Sequence, residues 1–243
     1  MIEVHELSKT FPARGGPVHA LRGVSFSCAP GEIFGLLGRN GAGKTTTLRI
    51  LATVLAPTSG RATIMGHDVA TEGDAVRRTI GFLTGDTRLY DRLTAREALE
   101  YFGRLQGMTE ASIRTRISEL GERYRLDAIL DRRIGTFSTG QKQRISLARA
   151  MMHDPPVLIL DEPTAGLDIL GVRDTLHLIR GLRDEGRVVV FSTHILIEVE
   201  RVCDRVAIID GGRLLACDTL AGVRGTDGDL ETAFVQLVTG ETT

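Results

Sequence analysis

A glycine-rich loop between a short apolar run and a helix-forming run constrains this chain more than any other feature. Residues 38–45 read GRNGAGKT, which matches the pattern G-x-x-x-x-G-K-[ST], and the apolar run 33–37 precedes them. In a strand–loop–helix context, such glycines let several backbone N–H groups point into one concavity at the positive end of the following helix. The pattern predicts a site for a nucleotide phosphate; a glycine-rich turn without a ligand is the alternative.

Two side chains of the loop carry the predicted chemistry. Lys44 would reach the β- and γ-phosphates, so it is expected both to bind the nucleotide and to act in catalysis. The Thr45 hydroxyl would ligate Mg²⁺, which prefers hard oxygen ligands and water. The other loop positions expected to contact the nucleotide are Gly38, Asn40, Gly41, Gly43 and Thr46.

The composition is that of an ordinary globular protein. The chain has 243 residues, of which 42% are hydrophobic and 25% charged, enough apolar material for one domain with a subdomain. Its formal net charge is −1, so no long-range basic field favours nucleic acid, and no nucleic-acid partner is expected. The three cysteines, Cys28, Cys203 and Cys217, fit neither a disulfide framework nor a zinc site, and we expect buried thiols in a reducing compartment.

Neither a secretory leader nor a membrane span is predicted. Residues 1–7 alternate as a strand does and lack the basic start and apolar core of a signal peptide. No stretch approaches 18 uninterrupted apolar residues. We therefore expect a cytoplasmic protein unless another chain holds it at a membrane.

Hydrophobic patterning indicates two α/β segments separated by a helical insert. Short apolar runs surround the phosphate loop, a helical period follows and includes a capping box at Thr94 and Glu97, and apolar runs of strand length then alternate with helices. This alternation predicts a parallel core sheet. The tail is expected to be polar, with Thr219 as a helix cap. We divide the single domain into four parts: residues 1–86, 87–152, 153–218 and 219–243.

A second motif is the apolar run 157–160 followed by Asp161 and Glu162. At the carboxyl end of a buried strand, Asp161 can hold the Mg²⁺ shell beside Thr45, while Glu162 reaches further toward the γ-phosphate. The natural role of Glu162 is to orient or deprotonate the attacking water. A plain strand followed by a loop gives the same letters, but the pairing with a phosphate loop favours the metal site.

A third motif occupies residues 137–144, which read FSTGQKQR. The order of this LSGGQ-like signature, a helix, the Asp-Glu strand and the AGLD at 165–168 resembles the nucleotide-binding subunit of an ATP-binding cassette (ABC) transporter over nearly the whole chain. Phe137 and Thr139 stand where that family usually has Leu and Gly. The resemblance implies an α/β P-loop NTPase (ABC ATPase) core with an antiparallel β-subdomain and a helical subdomain, and ATP with Mg²⁺ as cofactors.

The resemblance also implies further site residues. The signature residues that would face the γ-phosphate bound by the other subunit are Ser138, Gly140 and Gln141; as an isolated string they are an ordinary helix cap. Asp168 resembles the acid that couples the two active sites across a dimer, and His194 resembles the switch histidine that contacts the γ-phosphate in catalysis. Phe11 is the aromatic nearest the place where the family stacks a ring on adenine; a core role is the alternative.

One position departs from the family pattern. The family usually has Pro-Gln after the strand here read as 80–83, whereas this chain has Thr84 and Gly85. That glutamine normally reaches the metal and reports the nucleotide state to the membrane partner, and Gly85 has no side chain with which to do so. Asp86 or Thr87 is a candidate substitute; the alternative is that the alignment with the family is shifted here by a residue or two. The departure leaves a non-catalytic, nucleotide-sensing scaffold as an alternative function.

Residues 89–97 resemble exporter-type cassettes of the sodium-efflux and drug or multidrug-resistance group. This implies an ATPase, paired with a second copy or with another ABC ATPase, that drives a separate integral-membrane permease docked near residues 84–104. The chain would then lie peripherally at the cytoplasmic face of the cell membrane, and a sodium ion or a drug-like molecule would be exported. The alternative is a soluble ABC-type ATPase acting on nucleic acid or ribosomes, which commonly has two cassettes, a long coiled-coil insertion or basic arms.

Overall fold

A computed structural model describes residues 1–85, 89–225 and 228–240. In the described chain the strands are β1 (Ile2–Phe11), β2 (Val18–Cys28), β3 (Ile33–Leu37), β4 (Ser59–Ile64), β5 (His67–Asp68), β6 (Ile80–Leu83), β7 (Val157–Asp161), β8 (Val188–Thr193), β9 (Arg205–Asp210) and β10 (Arg213–Thr219). The α-helices are α1 (Lys44–Leu51), α2 (Gly73–Thr79), α3 (Ala95–Leu105), α4 (Glu110–Tyr124), α5 (Thr139–Ala150), α6 (Ile169–Asp184), α7 (Leu196–Val202), α8 (Leu220–Arg224) and α9 (Leu230–Thr239).

The strands form two sheets. The first is antiparallel, with strand order β2-β1-β4-β5, and it packs the buried side chains of β1 over the second sheet. The second has the order β10-β9-β3-β8-β7-β6. Its five strands β9, β3, β8, β7 and β6 run parallel, and the edge strand β10 is antiparallel to β9. This arrangement confirms the predicted α/β core with an antiparallel β-subdomain.

The core sheet brings the sequence motifs to one edge. Strands β3 and β7 are buried at every residue, as expected for continuous apolar runs covered on both faces. In the sheet, β8 lies between β3 and β7. Because the carboxyl ends of parallel strands meet at the same edge, the phosphate loop after β3, the two acids at the end of β7 and the end of β8 converge there.

Helices α3, α4 and α5 pack against one another and share a hydrophobic cluster with the second sheet. The start of α3 has the predicted capping box: the Thr94 hydroxyl accepts from the Glu97 N–H at 3.1 Å, and the Glu97 carboxylate accepts from the Thr94 N–H at 2.7 Å. The signature motif lies at the start of α5.

The end of the chain contains more structure than the sequence predicted. Strand β10 extends the second sheet, and helices α8 and α9 follow it, with α8 capped by the predicted Thr219. The residues of α9 are mostly apolar, so the expectation of a polar tail was wrong there. No helix in the described ranges is both long and apolar enough to cross a membrane.

The cysteines are free thiols. Cys28 and Cys203 are buried, and burial raises the pKa of both thiols well above the ordinary value. Cys217 is half-buried in β10, and burial raises its pKa as well. Cys28 and Cys203 therefore behave as the small buried hydrophobes that the sequence predicted, whereas Cys217 is buried only in part.

Candidate nucleotide-binding and hydrolysis site

Two glycines of the phosphate loop stand where a side chain would not fit. Gly43, just before α1, has φ 110°, a left-handed conformation that favours glycine, and a Cβ there would lie 2.7 Å from the carbonyl oxygen of Ala20. A Cβ on Gly38 would collide with the carbonyl oxygen of Ile209. The loop therefore packs directly against β2 and β9, which fixes its curvature at the end of β3.

The loop encloses a small cavity, which we call the cradle. Its volume is about 150 Å³, and its described lining consists of Ala20, Asn40, Gly41, Ala42, Gly43, Lys44, Thr45, Thr46 and Glu162. Most of the loop residues predicted to contact the nucleotide thus line one cavity. Gly38 is not among the described lining residues; its carbonyl oxygen accepts a hydrogen bond from Lys44 Nζ.

Lys44 is folded into the loop. It is 5% exposed, and its Nζ donates to the carbonyl oxygens of Gly38 at 2.7 Å and Arg39 at 3.2 Å. Burial lowers the pKa of Lys44, and the nearby carboxylates of Glu162 and Asp161 offset part of that effect. A buried cation on carbonyl oxygens is a suitable receptor for an anionic group.

Three oxygen-bearing side chains meet beside the cradle. The Thr45 hydroxyl donates to Oδ1 of Asp161 at 3.1 Å, and the Ser192 hydroxyl donates to the same oxygen at 2.6 Å. Asp161 is buried at the end of β7, next to β8. One carboxylate with neighbouring hydroxyl oxygens fits the hard-oxygen preference of Mg²⁺, which typically completes its shell with phosphate oxygens and water.

Glu162 turns the chain away from β7. Its φ of 47° is left-handed, which is uncommon for a residue other than glycine. Its N–H donates to the backbone oxygen of Ser192 at 3.2 Å and to the Ser192 hydroxyl at 3.1 Å. Its Oε1 lies 3.1 Å from Nδ1 of His194, so the carboxylate and the imidazole form a partly exposed pair at the mouth of the cradle.

Sequence reasoning missed two polar contacts at the end of β8. The first is Ser192, whose hydroxyl touches both predicted acids. The second is the pair of Thr193 and Glu198, in which the Thr193 hydroxyl donates to the buried Glu198 carboxylate at 2.7 Å and accepts from the Ile195 N–H at 3.0 Å. The available signal was that the apolar run of β8 ends in Ser-Thr directly before His194, at the edge where Asp161 was already expected.

The signature residues lie in a different cavity, lined by the starts of α5 and α6. Its volume is about 580 Å³, and its lining includes Ser138, Gly140, Gln141 and Asp168. Ser138 and Gln141 form a capping box, with N···O distances of 3.3 Å and 3.1 Å, while Asp168 caps α6 by accepting from the Gly171 N–H at 2.7 Å. Gly140 leaves open space where a Cβ would stand.

The two remaining predicted positions lie near the cradle without lining it. Phe11, at the end of β1, pairs with Val18, two residues before the cradle residue Ala20, and the Lys9 Nζ lies 5.1 Å from the centre of its ring. Gly85 and Glu162 line a further cavity of about 520 Å³. Asp86 and Thr87, the candidate substitutes for the missing glutamine, lie outside the described residues.

Comparison with known proteins gives the class of protein. The sequence model of the ABC transporter family matches residues 21–165. The chain is 42% identical to the ABC transporter ATP-binding protein NatA of Bacillus subtilis (strain 168) over 216 residues, 88% of each protein. The chain therefore belongs to the ABC transporter family.

Two further relatives refine this assignment. The chain is 40% identical to the Nod factor export ATP-binding protein I of Paraburkholderia xenovorans (strain LB400) over 88% of this chain and 69% of that protein. A solved dimeric ATP-binding cassette in a post-hydrolysis state, bound to ADP and Pi, superimposes with a TM-score of 0.83 at 28% identity, over 91% of this chain and all of that one. This chain is an ATP-binding subunit of the family and an ATPase.

Proposed function

We propose that this chain hydrolyses ATP to drive a separate integral-membrane permease, and that the transporter is an exporter. The observation that carries the proposal is the convergence of Thr45, Asp161, Glu162 and His194 at one edge of the core sheet. The name of the Nod factor export ATP-binding protein I, which is 40% identical to this chain, supports export. The resemblance of residues 89–97 to the sodium-efflux and drug-resistance group supports a sodium ion or a drug-like molecule as cargo.

In the proposed mechanism, the first step is capture of the ATP phosphates in the cradle. Lys44 Nζ exchanges its bonds to the Gly38 and Arg39 carbonyls for phosphate oxygens, and the loop N–H groups bind the same phosphates. Thr45 and Asp161 would hold Mg²⁺, which when bound neutralises charge on the phosphates. The ring of Phe11, near the cradle along β1, would stack on the adenine.

The second step is attack of a water molecule on the γ-phosphorus, which forms a new P–O bond as the bond from that phosphorus to the oxygen of the departing ADP breaks. Glu162 accepts the proton of the attacking water, because its carboxylate lines the cradle and is held there by a hydrogen bond with His194. His194 orients the Glu162 carboxylate through Nδ1 and contacts the γ-phosphate through its other ring nitrogen, Nε2. We expect Glu162→Gln to bind ATP without hydrolysing it.

The third step couples hydrolysis to movement. A second copy of this chain would present its Ser138 hydroxyl and Gly140 N–H, at a helix start, to the γ-phosphate in the first copy's cradle, and Asp168 and Gln141 would line the same contact. Because each ATP would bridge two subunits, binding closes the dimer, and loss of the γ-phosphate removes the bridge. The existence of a solved dimeric relative at 28% identity supports this step.

We further propose that residues 1–243 act as one ATP-binding domain, in which residues 87–152 are the helical subdomain that docks on the permease. The exposed aromatic side chains of Tyr90 and Tyr101 support a docking surface in this region. The chain would thereby be held at the cytoplasmic face of the cell membrane. The loss of the family glutamine at Gly85 would weaken the link between nucleotide state and permease unless Asp86 or Thr87 replaces it.

Affinity purification of tagged protein from detergent-solubilised membranes of the native host, followed by mass spectrometry, tests the transporter assignment. We expect a polytopic membrane protein in stoichiometric amount, and its identity would narrow the cargo. A Lys44→Ala protein should bring down the same partner, because docking does not involve the cradle. Recovery of the chain from the cytosol alone, or with ribosomes or DNA, would contradict transport and leave only the ATPase.

A further inference from the structure

Ser192 occupies a position between the two acids that the proposed mechanism uses. It is fully buried in β8 and lies opposite Asp161 in the parallel ladder with β7. Its hydroxyl donates its single proton to Oδ1 of Asp161 at 2.6 Å. The Ser192 hydroxyl oxygen in turn accepts a hydrogen bond from the N–H of Glu162 at 3.1 Å. One hydroxyl group therefore touches the side chain of the first acid and the backbone of the second.

The contact to Asp161 leaves that carboxylate with a fixed orientation. Oδ1 receives two hydroxyl donors, Ser192 from β8 and Thr45 from the phosphate loop, and the Ser192 bond is the shorter. If Thr45 turns its oxygen toward a cation when nucleotide binds, Ser192 still holds Asp161. When hydrogen bonds from neighbouring hydroxyl groups hold a carboxylate in place, its remaining lone pairs point in a defined direction.

The contact to Glu162 supports an unfavourable backbone conformation. A left-handed φ is costly for a residue with a Cβ and persists only when the surrounding structure holds it. The Glu162 N–H is held by both the hydroxyl and the backbone oxygen of Ser192. This turn directs the Glu162 side chain away from the strand and toward His194.

We propose that Ser192 is a positioning residue that fixes the Asp161 carboxylate and the turn at Glu162 relative to each other. The proposed metal ligand, Asp161, and the proposed base, Glu162, then act on the same phosphate. The inference rests on the roles proposed above for Asp161 and Glu162. Ser192 acts through these two residues and does not touch the cradle, since it is absent from its described lining. It should therefore affect turnover and metal binding more than nucleotide binding.

The test compares Ser192→Ala with wild type. The variant is smaller and keeps the backbone bond from Glu162 to the Ser192 carbonyl, so we expect it to fold. We expect kcat for ATP hydrolysis to fall about 10- to 100-fold, and Mn²⁺ affinity in the presence of a non-hydrolysable ATP analogue, measured by electron paramagnetic resonance, to fall about as much. The KM for ATP should stay within about threefold, because the phosphate contacts of the loop are intact.

Two controls separate the possible failures. Thr175→Val removes a buried hydroxyl on α6, away from the cradle, and should keep wild-type kcat and Mn²⁺ affinity. Glu162→Gln should abolish turnover. If Glu162→Gln is inactive while Ser192→Ala retains kcat and Mn²⁺ affinity within twofold, the positioning role is wrong and the proposed mechanism stands. If Glu162→Gln turns over normally, the base assignment and the role of Ser192 fail together.

Discussion

At the residue scale, a single oxygen atom joins the motifs of the site. Oδ1 of Asp161 accepts hydroxyl bonds from Thr45, which belongs to the phosphate loop, and from Ser192, which belongs to β8. A carboxylate that is only 5% exposed would be costly without such donors. The acid and the phosphate loop were predictable because each belongs to an unusual string of residues. Ser192 was not, because a serine at a strand end is common in any sheet.

Lys44 gives the first residue-scale prediction. Replacing Lys44 with Ala removes a charge-assisted hydrogen-bond donor to phosphate, worth about 1.5–3 kcal/mol, so ATP affinity should fall about 10- to 150-fold. Isothermal titration calorimetry with ATP and Mg²⁺ measures the loss. Arg61→Ala, at an exposed position on β4, serves as a matched loss of one positive charge and should bind as wild type. Equal ATP affinities of the Lys44→Ala and wild-type proteins would show that Lys44 does not bind the phosphates.

At the element scale, the starts of two helices have a structural role that coexists with the proposed role at a subunit contact. Ser138 and Gln141 cap α5 reciprocally, and Asp168 caps α6. The same residues line the cavity at which a second copy is proposed to bind. The sequence alone could not separate the two roles, because a helix cap and an anion site use the same N–H groups.

Substitutions at Ser138 separate the two roles. Ser138→Ala loses the cap and should destabilise the protein by about 1 kcal/mol. Ser138→Asp keeps a good N-cap residue, so stability should stay near that of the wild type, but its negative charge would oppose the partner's γ-phosphate. We therefore expect urea unfolding of Ser138→Asp to match wild type while ATP-dependent dimerisation is lost. Wild-type dimerisation of Ser138→Asp would show that the signature does not face a phosphate.

An ionic cluster of Arg116, Asp154 and Arg187 connects α4 with the segment before β7 and with the residue before β8. Oδ1 of Asp154 accepts from Arg116 at 2.6 Å and from Arg187 at 2.7 Å. Burial raises the pKa of Asp154, but the hydrogen bonds and charges of Arg187 and Arg116 outweigh it, and the net pKa is lowered. This carboxylate therefore stabilises the fold at pH values above its unfolded pKa of about 3.9.

Asp154→Asn tests that contribution. Asp154 has φ 57°, which Asn tolerates, so the substitution removes the charge without straining the backbone. We expect a loss of about 1 kcal/mol near pH 7, because the pair is half exposed, and the difference from wild type should shrink as pH falls below about 4, through the lowered folded pKa. Urea unfolding at several pH values measures it. Asp74→Asn, in an exposed pair with Arg77, should cost about half or less; equal losses would make the Asp154 cluster an ordinary surface pair.

At the scale of the whole molecule, the more buried an element is, the more clearly its sequence pattern predicted it. The fully buried run of β3 and the largely buried run of β6 occupy the predicted residues. Strand β10 has no fully buried residue, and α9 has only Leu230, so their formation depends on pairing with β9 and packing near the end of the chain more than on a local pattern. The cradle could be predicted because its loop is an unusual string of residues, while the contacts of Ser192 on β8 required the order of the strands in the sheet.

The proposed action of the molecule depends on assembly. The cradle and the signature cavity have separate linings within one chain, so a signature can complete a cradle only if another subunit supplies it. Gly85, which has no side chain, and Glu162 both line a third cavity. We therefore expect closure of the dimer to depend on ATP and its reopening to depend on Glu162.

Sedimentation velocity of the Glu162→Gln protein measures whether ATP closes the dimer. With ATP and Mg²⁺ the protein should sediment as a dimer, because it binds the nucleotide and cannot hydrolyse it; without nucleotide, or with ADP, it should sediment as a monomer. Adding Ser138→Asp to the same protein should keep it monomeric in ATP. A Glu162→Gln protein that binds ATP and stays monomeric, or one that is dimeric without nucleotide, would contradict ATP-driven dimerisation of this chain.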